Sequence, residues 1–254
     1  MSDWREKSNE LKERLRLRTE PVAYRRLERV ADLDSIDGVT RWPQGCTFCQ
    51  IPFLARVSGY TLGITSEDNM LKRCKGIHGL RSVSEEDMEQ EAAGLATTWM
   101  PSPEEGMKQQ KDYPRIPAGE AIVVGPLAQA NFEPEVILLY GNPAQIMMIM
   151  SAMQKVKYER FQFYFIGEGA CVDSLGQCYN TGKPSLSIPC YGERSLGQVA
   201  DDEIIIALPP GEIDRAIKGL KMLEEAVIPF KYPIGKTGAF MDPSILLQQA
   251  YPDM

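Results

Sequence analysis

Histidine is almost missing from this chain. His78 is the single one among 254 residues, which excludes an HExxH zinc site and any metal centre built from several imidazoles. No run of about 18 apolar residues occurs, so a membrane-crossing helix is not expected. The first ten residues, MSDWREKSNE, are polar throughout, so no secretory leader is expected and the compartment is read as the cytoplasm. Net positive charge is lacking too: 28 Lys and Arg stand against 35 Asp and Glu, and the formal charge is −7 with an isoelectric point of about 5.0. Apart from the mixed stretch REKSNELKERLRLR, no basic block breaks that balance, and neither nucleic acid nor a membrane surface is expected as a partner. The common nucleotide and nucleophile signatures are lacking. No GxGxxG follows a strand-like run. Gly235-Lys236-Thr237 in YPIGKTGAF has Phe230 where a P-loop needs its first glycine. GERSLG is not a GxSxG elbow, and CTFCQ puts Gln50 where c-type haem attachment needs histidine.

Cysteine, by contrast, is present six times: Cys46, Cys49, Cys74, Cys171, Cys178 and Cys190. In a reducing compartment disulfides do not persist, and clustered thiols are more often metal ligands or redox groups. The plain alternative is that buried free cysteines are small core residues. Cys46 and Cys49 form the one close pair. A structural zinc site usually takes two such pairs. An iron–sulfur cube needs only four thiolates, and long gaps between them are no obstacle. Cys49 at a helix start, Cys74 in a Gly-rich turn and Cys190 at a strand end all stand where a loop can present a ligand.

The rest of the chain reads as an ordinary globular protein, 43% hydrophobic and 25% charged. Residues 4–17 predict an amphipathic helix and PVAYRRLERV a strand. Residues 30–45 read as loop. Residues 46–58 predict a mostly apolar helix closed by Gly59, and 84–98 a helix with Ser84 and Asp87 at its start. YTLGITSEDN, AIVVGPL, VILLYGN, RFQFYFIG, SLSIP and DEIIIALPP read as strands. PAQIMMIMSAMQKV follows an Asn142-Pro143 helix start, and its methionines read as core filler. GEIDRAIKGLKMLEEA is a further helix. The fold class is α/β or α+β: a mixed sheet with flanking helices in a single compact domain over 1–254. The Pro- and charge-rich stretch 100–119 marks a surface excursion or a sub-boundary.

At CQIPFLARVSGYTLGITSEDNMLKRCKGIHGL the sequence resembles the family catalogued as domain of unknown function 169, found largely in anaerobic archaea and bacteria. The residues that carry the likeness are Cys49-Gln50, Ala55-Arg56, Gly59-Tyr60, Gly63, Thr65, Asp68, Cys74, Gly76 and Gly79-Leu80. LLYGNPAQ, GACVD, SIPCYGER and ADDEIIIALP extend it over most of residues 5–235. The resemblance implies one domain and brings no established reaction. It singles out Cys49, Cys74, Cys171 and Cys190 and leaves Cys46 and Cys178 outside the pattern.

Two readings follow. In the first, those four thiols ligate one [4Fe–4S] cluster, with zinc as the alternative metal. The cluster then serves redox or Lewis-acid chemistry on a small anionic substrate, with a redox partner protein or a homo-oligomer as the compatible assembly. Arg56 and Arg194 are candidates to steer the anion, and Asp68, Asp202 and Glu203 to move protons, although plain salt bridging accounts for each taken singly. His78 is expected to be no catalytic base and at most to hydrogen-bond a ligand sulfur. In the second reading the chain binds a small anion without metal, at the helix start Gly141-Asn142-Pro143-Ala144-Gln145. A zinc-stabilised structural subunit is a third option.

Overall fold

The alternating apolar residues of the strand-like runs need cover on both faces, and the computed structural model supplies it. It describes residues 3–42, 44–226 and 229–235. Strands β1 (Val22–Leu27), β2 (Val39–Arg41), β3 (Thr61–Thr65), β4 (Ala121–Pro126), β5 (Val136–Gly141), β6 (Ser185–Ser187) and β7 (Ile204–Leu208) form one sheet in the order β2-β3-β4-β1-β5-β7-β6. Only β2 and β3 run parallel; the other neighbours are antiparallel. The sheet is therefore mixed. β4 and β5 are buried at every residue, which is why AIVVGP and VILLYG read as unbroken apolar runs.

The helices are α1 (Trp4–Leu15), α2 (Val30–Asp34), α3 (Gln50–Ser58), α4 (Lys72–Ile77), α5 (Glu85–Ala96), α6 (Pro103–Asp112), α7 (Pro143–Val156), α8 (Gln177–Thr181), α9 (Tyr191–Ser195) and α10 (Pro210–Glu224). One face of the sheet, through Ala23, Val123, Ile137, Leu139, Ile206 and Leu208, packs on α1, α7 and α10. The opposite face, through Tyr24, Leu62, Ile122, Leu138, Tyr140 and Ile205, packs on α3 and on the chain around Cys46, Cys74 and Cys178. Successive strand residues point to opposite sides, so each strand feeds both cores. Met148 and Met153 fill the first core, and Met147 and Met150 pack at its margin.

The structure departs from the sequence reading in three places. Residues 30–45 are not merely loop but carry α2 and β2. Residues 46–49 do not open α3. Cys46 instead pairs through its backbone with Asn69 and Leu71 in an isolated parallel bridge, and its side chain is buried. RFQFYFIG forms no strand. Its neighbouring edge, β6, is three residues long and follows Lys183-Pro184, and a short edge headed by proline is a poor pairing template. The backbone there bonds to side chains instead: Glu159 O accepts from Gln154 and Ile166 N donates to Asp173. The stretch 100–119 contains α6, which packs chiefly on α5. Lys236 and Thr237 of the GKT triplet lie outside the described residues.

Candidate functional site

Cys49, Cys74, Cys171 and Cys190 come from four separate places in the chain, and Cys74, Cys171 and Cys190 pack into the core on the second face of the sheet. Cys49 caps the start of α3, where Gln50 turns back to hold the preceding turn through the Thr47 amide. Cys74 lies in α4 and accepts a hydrogen bond from the Phe48 amide at 3.4 Å. Cys171 leads into a π-helical turn, Val172–Gly176, a rare geometry that recurs at functional sites. Cys190 stands at the N-cap of α9.

The Cys49 and Cys190 side chains interact. That contact, together with the amides of Ala170, Glu193 and Gly192, lowers the Cys190 pKa against the opposing cost of burial. The same contact raises Cys49. Cys171 is pushed up by burial and by the nearby Cys74 and Cys190. Burial also raises Cys74, to about 11. These interactions run in series from Cys74 through Cys171 to Cys190 and Cys49. Cys46 borders Cys74 but otherwise faces Asp68 and Lys75. Cys178 is raised to about 12 by burial alone. Among the described residues no group of three or more His, Cys, Asp or Glu side chains is arranged to hold a metal ion.

Around the thiols lies a buried polar shell, part of which the sequence did not flag. Glu193, the residue inside CYGER, is buried. Burial and the Cys190 charge raise its pKa to about 8, against the pull of Arg56, and its Oε2 has no partner among the described residues. A glutamate three positions after a cysteine at a helix start was the available signal. The Arg56 guanidinium lies 4.4 Å from the centre of the Tyr140 ring and 3.5 Å from Glu203, both side chains being buried. It also reaches Thr19 and the Gln198 carbonyl. Asp173, in the π turn, accepts from Ile166, while burial raises its pKa to about 7.

The other candidates are placed elsewhere. Asp68 ties down the β3 turn through Thr65 and pairs with Arg41. Arg194 bonds the Ala200 carbonyl and stands 3.6 Å from Asp201. Asp202 pairs with Arg18 at the surface. His78 is fully buried, stacked on Phe48 at 3.6 Å between ring centres, with Nδ1 3.4 Å from the Tyr24 hydroxyl. Asn142 and Gln145 cap α7 reciprocally, and Gln145 also donates to the Leu15 and Arg16 carbonyls. Their side chains are spent on the fold.

Thiols are donors that iron–sulfur clusters and zinc both take. Four thiols sit in a largely apolar layer, and amides converge on one sulfur, with Arg56 behind the shell. Hydrogen bonds and nearby cations are what moderate the negative charge of such a cluster.

The family comparison agrees with the motifs. The profile of domain of unknown function 169, described as uncharacterised ArCR, matches residues 10–219, and the chain belongs to that family. It is similar to the uncharacterized protein MJ0308 of Methanocaldococcus jannaschii, with 24% identity over 178 residues, covering 68% of this chain and 75% of the relative. No solved structure matches the chain. Among the described residues no helix is long and apolar enough to cross a membrane.

Proposed function

We propose that the protein is a cysteine-ligated metalloprotein in which Cys49, Cys74, Cys171 and Cys190 hold one [4Fe–4S] cluster. When bound, the cluster supplies redox or Lewis-acid chemistry toward a small anionic substrate. The observation that supports this reading is the series of thiol interactions from Cys74 through Cys171 to Cys190 and Cys49, with Cys46 bordering it at Cys74 and Cys178 apart from it. Zinc is the alternative metal for the same thiols, since thiolates suit both. The protein's own residues have separable parts. The amides of Gly192 and Glu193 stabilise the Cys190 thiolate. Arg56 sets positive charge behind the shell, and Glu193 holds a proton beside it.

Anaerobic purification followed by iron and acid-labile sulfide assay tests the reading. About four of each per chain is expected. Zinc without sulfide would reassign the metal, and a colourless anaerobic protein lacking iron and sulfide would end the proposal.

A further inference from the structure

A small pocket of about 50 Å³ opens between α4, α5 and the chain that follows α6. Lys72, Arg73, Arg81 and Arg115 line it, facing Asp87 and Glu91, so it carries two net positive charges. Asp87 is already engaged, by Arg81 at 2.8 Å, and Glu91 stands near Arg73. Among the described residues Lys72, Arg73 and Arg115 form no ion pair. The Arg73 and Arg115 guanidiniums both lie over the Tyr113 ring, 5.5 and 5.4 Å from its centre. Arg73 donates to the Tyr113 hydroxyl and the Glu168 carbonyl. Arg115 donates to the Gln110 carbonyl at 2.7 Å and to Gln110 Oε1 at 3.0 Å. These two partly buried cations repel each other, and an anion close to both relieves that repulsion.

Gln110 adds an independent sign. It lines the pocket and is 2% exposed. A guanidinium only donates, so the amide atom facing Arg115 must be the oxygen. The nitrogen is then fixed as a donor, and it has no partner. Buried donors without partners are rare and point to a missing acceptor.

We propose that this pocket binds a phosphate-type oxyanion, either free phosphate or the head of a phosphomonoester, with Lys72, Arg73, Arg115 and the Gln110 amide as its donors. Donors on α4, on α6 and on the segment after it approach from several directions, which matches a tetrahedral dianion better than a planar, singly charged carboxylate. The volume admits the head group and leaves the remainder of an ester outside. Arg73 directly precedes Cys74, and its charge is felt at Cys171, so a bound phosphate lies beside the thiol neighbourhood. The pocket itself needs no metal and goes beyond the cluster reading.

Calorimetric titration of the full chain with inorganic phosphate, methyl phosphate and acetate at matched ionic strength tests it, at about pH 8, where the phosphates are doubly charged. Saturable phosphate binding is expected, weakened at least about tenfold by Arg115→Gln and about threefold by Lys72→Ala, while Arg18→Ala binds as the parent does. Tighter binding of methyl phosphate than of phosphate identifies the ester as the source; equal binding identifies the free ion. No saturable phosphate binding, acetate binding as tight as phosphate, or parental binding by the variants would overturn the proposal. Lys72 is exposed, so Lys72→Ala decides the matter by itself if Arg115→Gln does not fold. Iron content in Lys72→Ala, expected at the parental level, separates this outcome from failure of the cluster.

Discussion

Cys49 and Cys190 interact and are displaced in opposite directions, because the amides of Ala170, Glu193 and Gly192 favour the thiolate at Cys190. That asymmetry belongs to Cys49 and not to Cys46, whose neighbours are Asp68, Lys75 and Cys74. Cys49→Ser is therefore expected to abolish iron and sulfide content while Cys46→Ser keeps both; equal loss in the two variants would restore the CxxC pair as the unit. His78 offers a prediction that is independent of metal. Burial lowers its pKa to about 3, against about 6.5 for a free histidine. The unfolded chain then takes up the proton first. The stability contributed by neutral His78 is complete above about pH 6.5 and is lost as pH falls from there toward 3. Between pH 7 and pH 5 the loss amounts to about 2 kcal/mol. Urea unfolding at the two pH values should show that much less acid sensitivity in His78→Gln than in the parent. An unchanged difference between parent and variant would show that another group carries the slope.

Among the elements, α7 and α10 pack backbone against backbone. A Cβ built on Gly219 would stand 1.8 Å from the Ala152 carbonyl oxygen, so the two helix backbones touch there and only glycine fits. Gly219→Ala is expected to cost roughly 1–3 kcal/mol by overpacking, more than its gain in helix propensity returns. Each kilocalorie should lower the thermal midpoint by about 2–4 °C in a chain of this size. A scanning calorimetry midpoint at or above the parent's would show that the helices separate at little cost. The glycine was visible in IKGLK, but which helix it meets depends on the strand order and could not be read locally. Other local signals were legible. Ser84 with Asp87 and Asn142 with Gln145 form capping boxes, and Gly59 closes α3 in the left-handed conformation, because these devices act within one turn.

On the scale of the whole molecule, one sheet divides two cores, an aliphatic one under α1, α7 and α10 and a second that carries the thiols. The pair α5 and α6 stands apart from both and packs chiefly on itself. Local opening follows contact with the core. Native-state hydrogen exchange should therefore release the amides of α5 and α6 at clearly lower free energy than those of β1, β4, β5 and β7. Equal protection throughout would mean that the chain opens as one unit. Phosphate in the pocket between α4 and α5 is expected to slow exchange in α5 by mass action.

By itself the sequence determined the class of fold and, through its family motifs, singled out four of the six thiols as candidates. Both rest on short-range information: the period of apolar residues, the caps, and motifs such as CQIPF and SIPCYGER. It could not determine where RFQFYFIG goes, since alternation allows a strand but a free edge must exist to accept it. Nor could it locate the charges. Arg194, Asp68 and Asp202 looked equal to Arg56 and Glu203 as candidates, and only tertiary packing placed the first three in surface or turn pairs and the last two in a buried pair beside Tyr140. Glu193 and the Arg73–Arg115 pair gain their meaning from burial and from neighbours distant in the chain. Desolvation and charge proximity are properties of three-dimensional position, and no local pattern of residues encodes them.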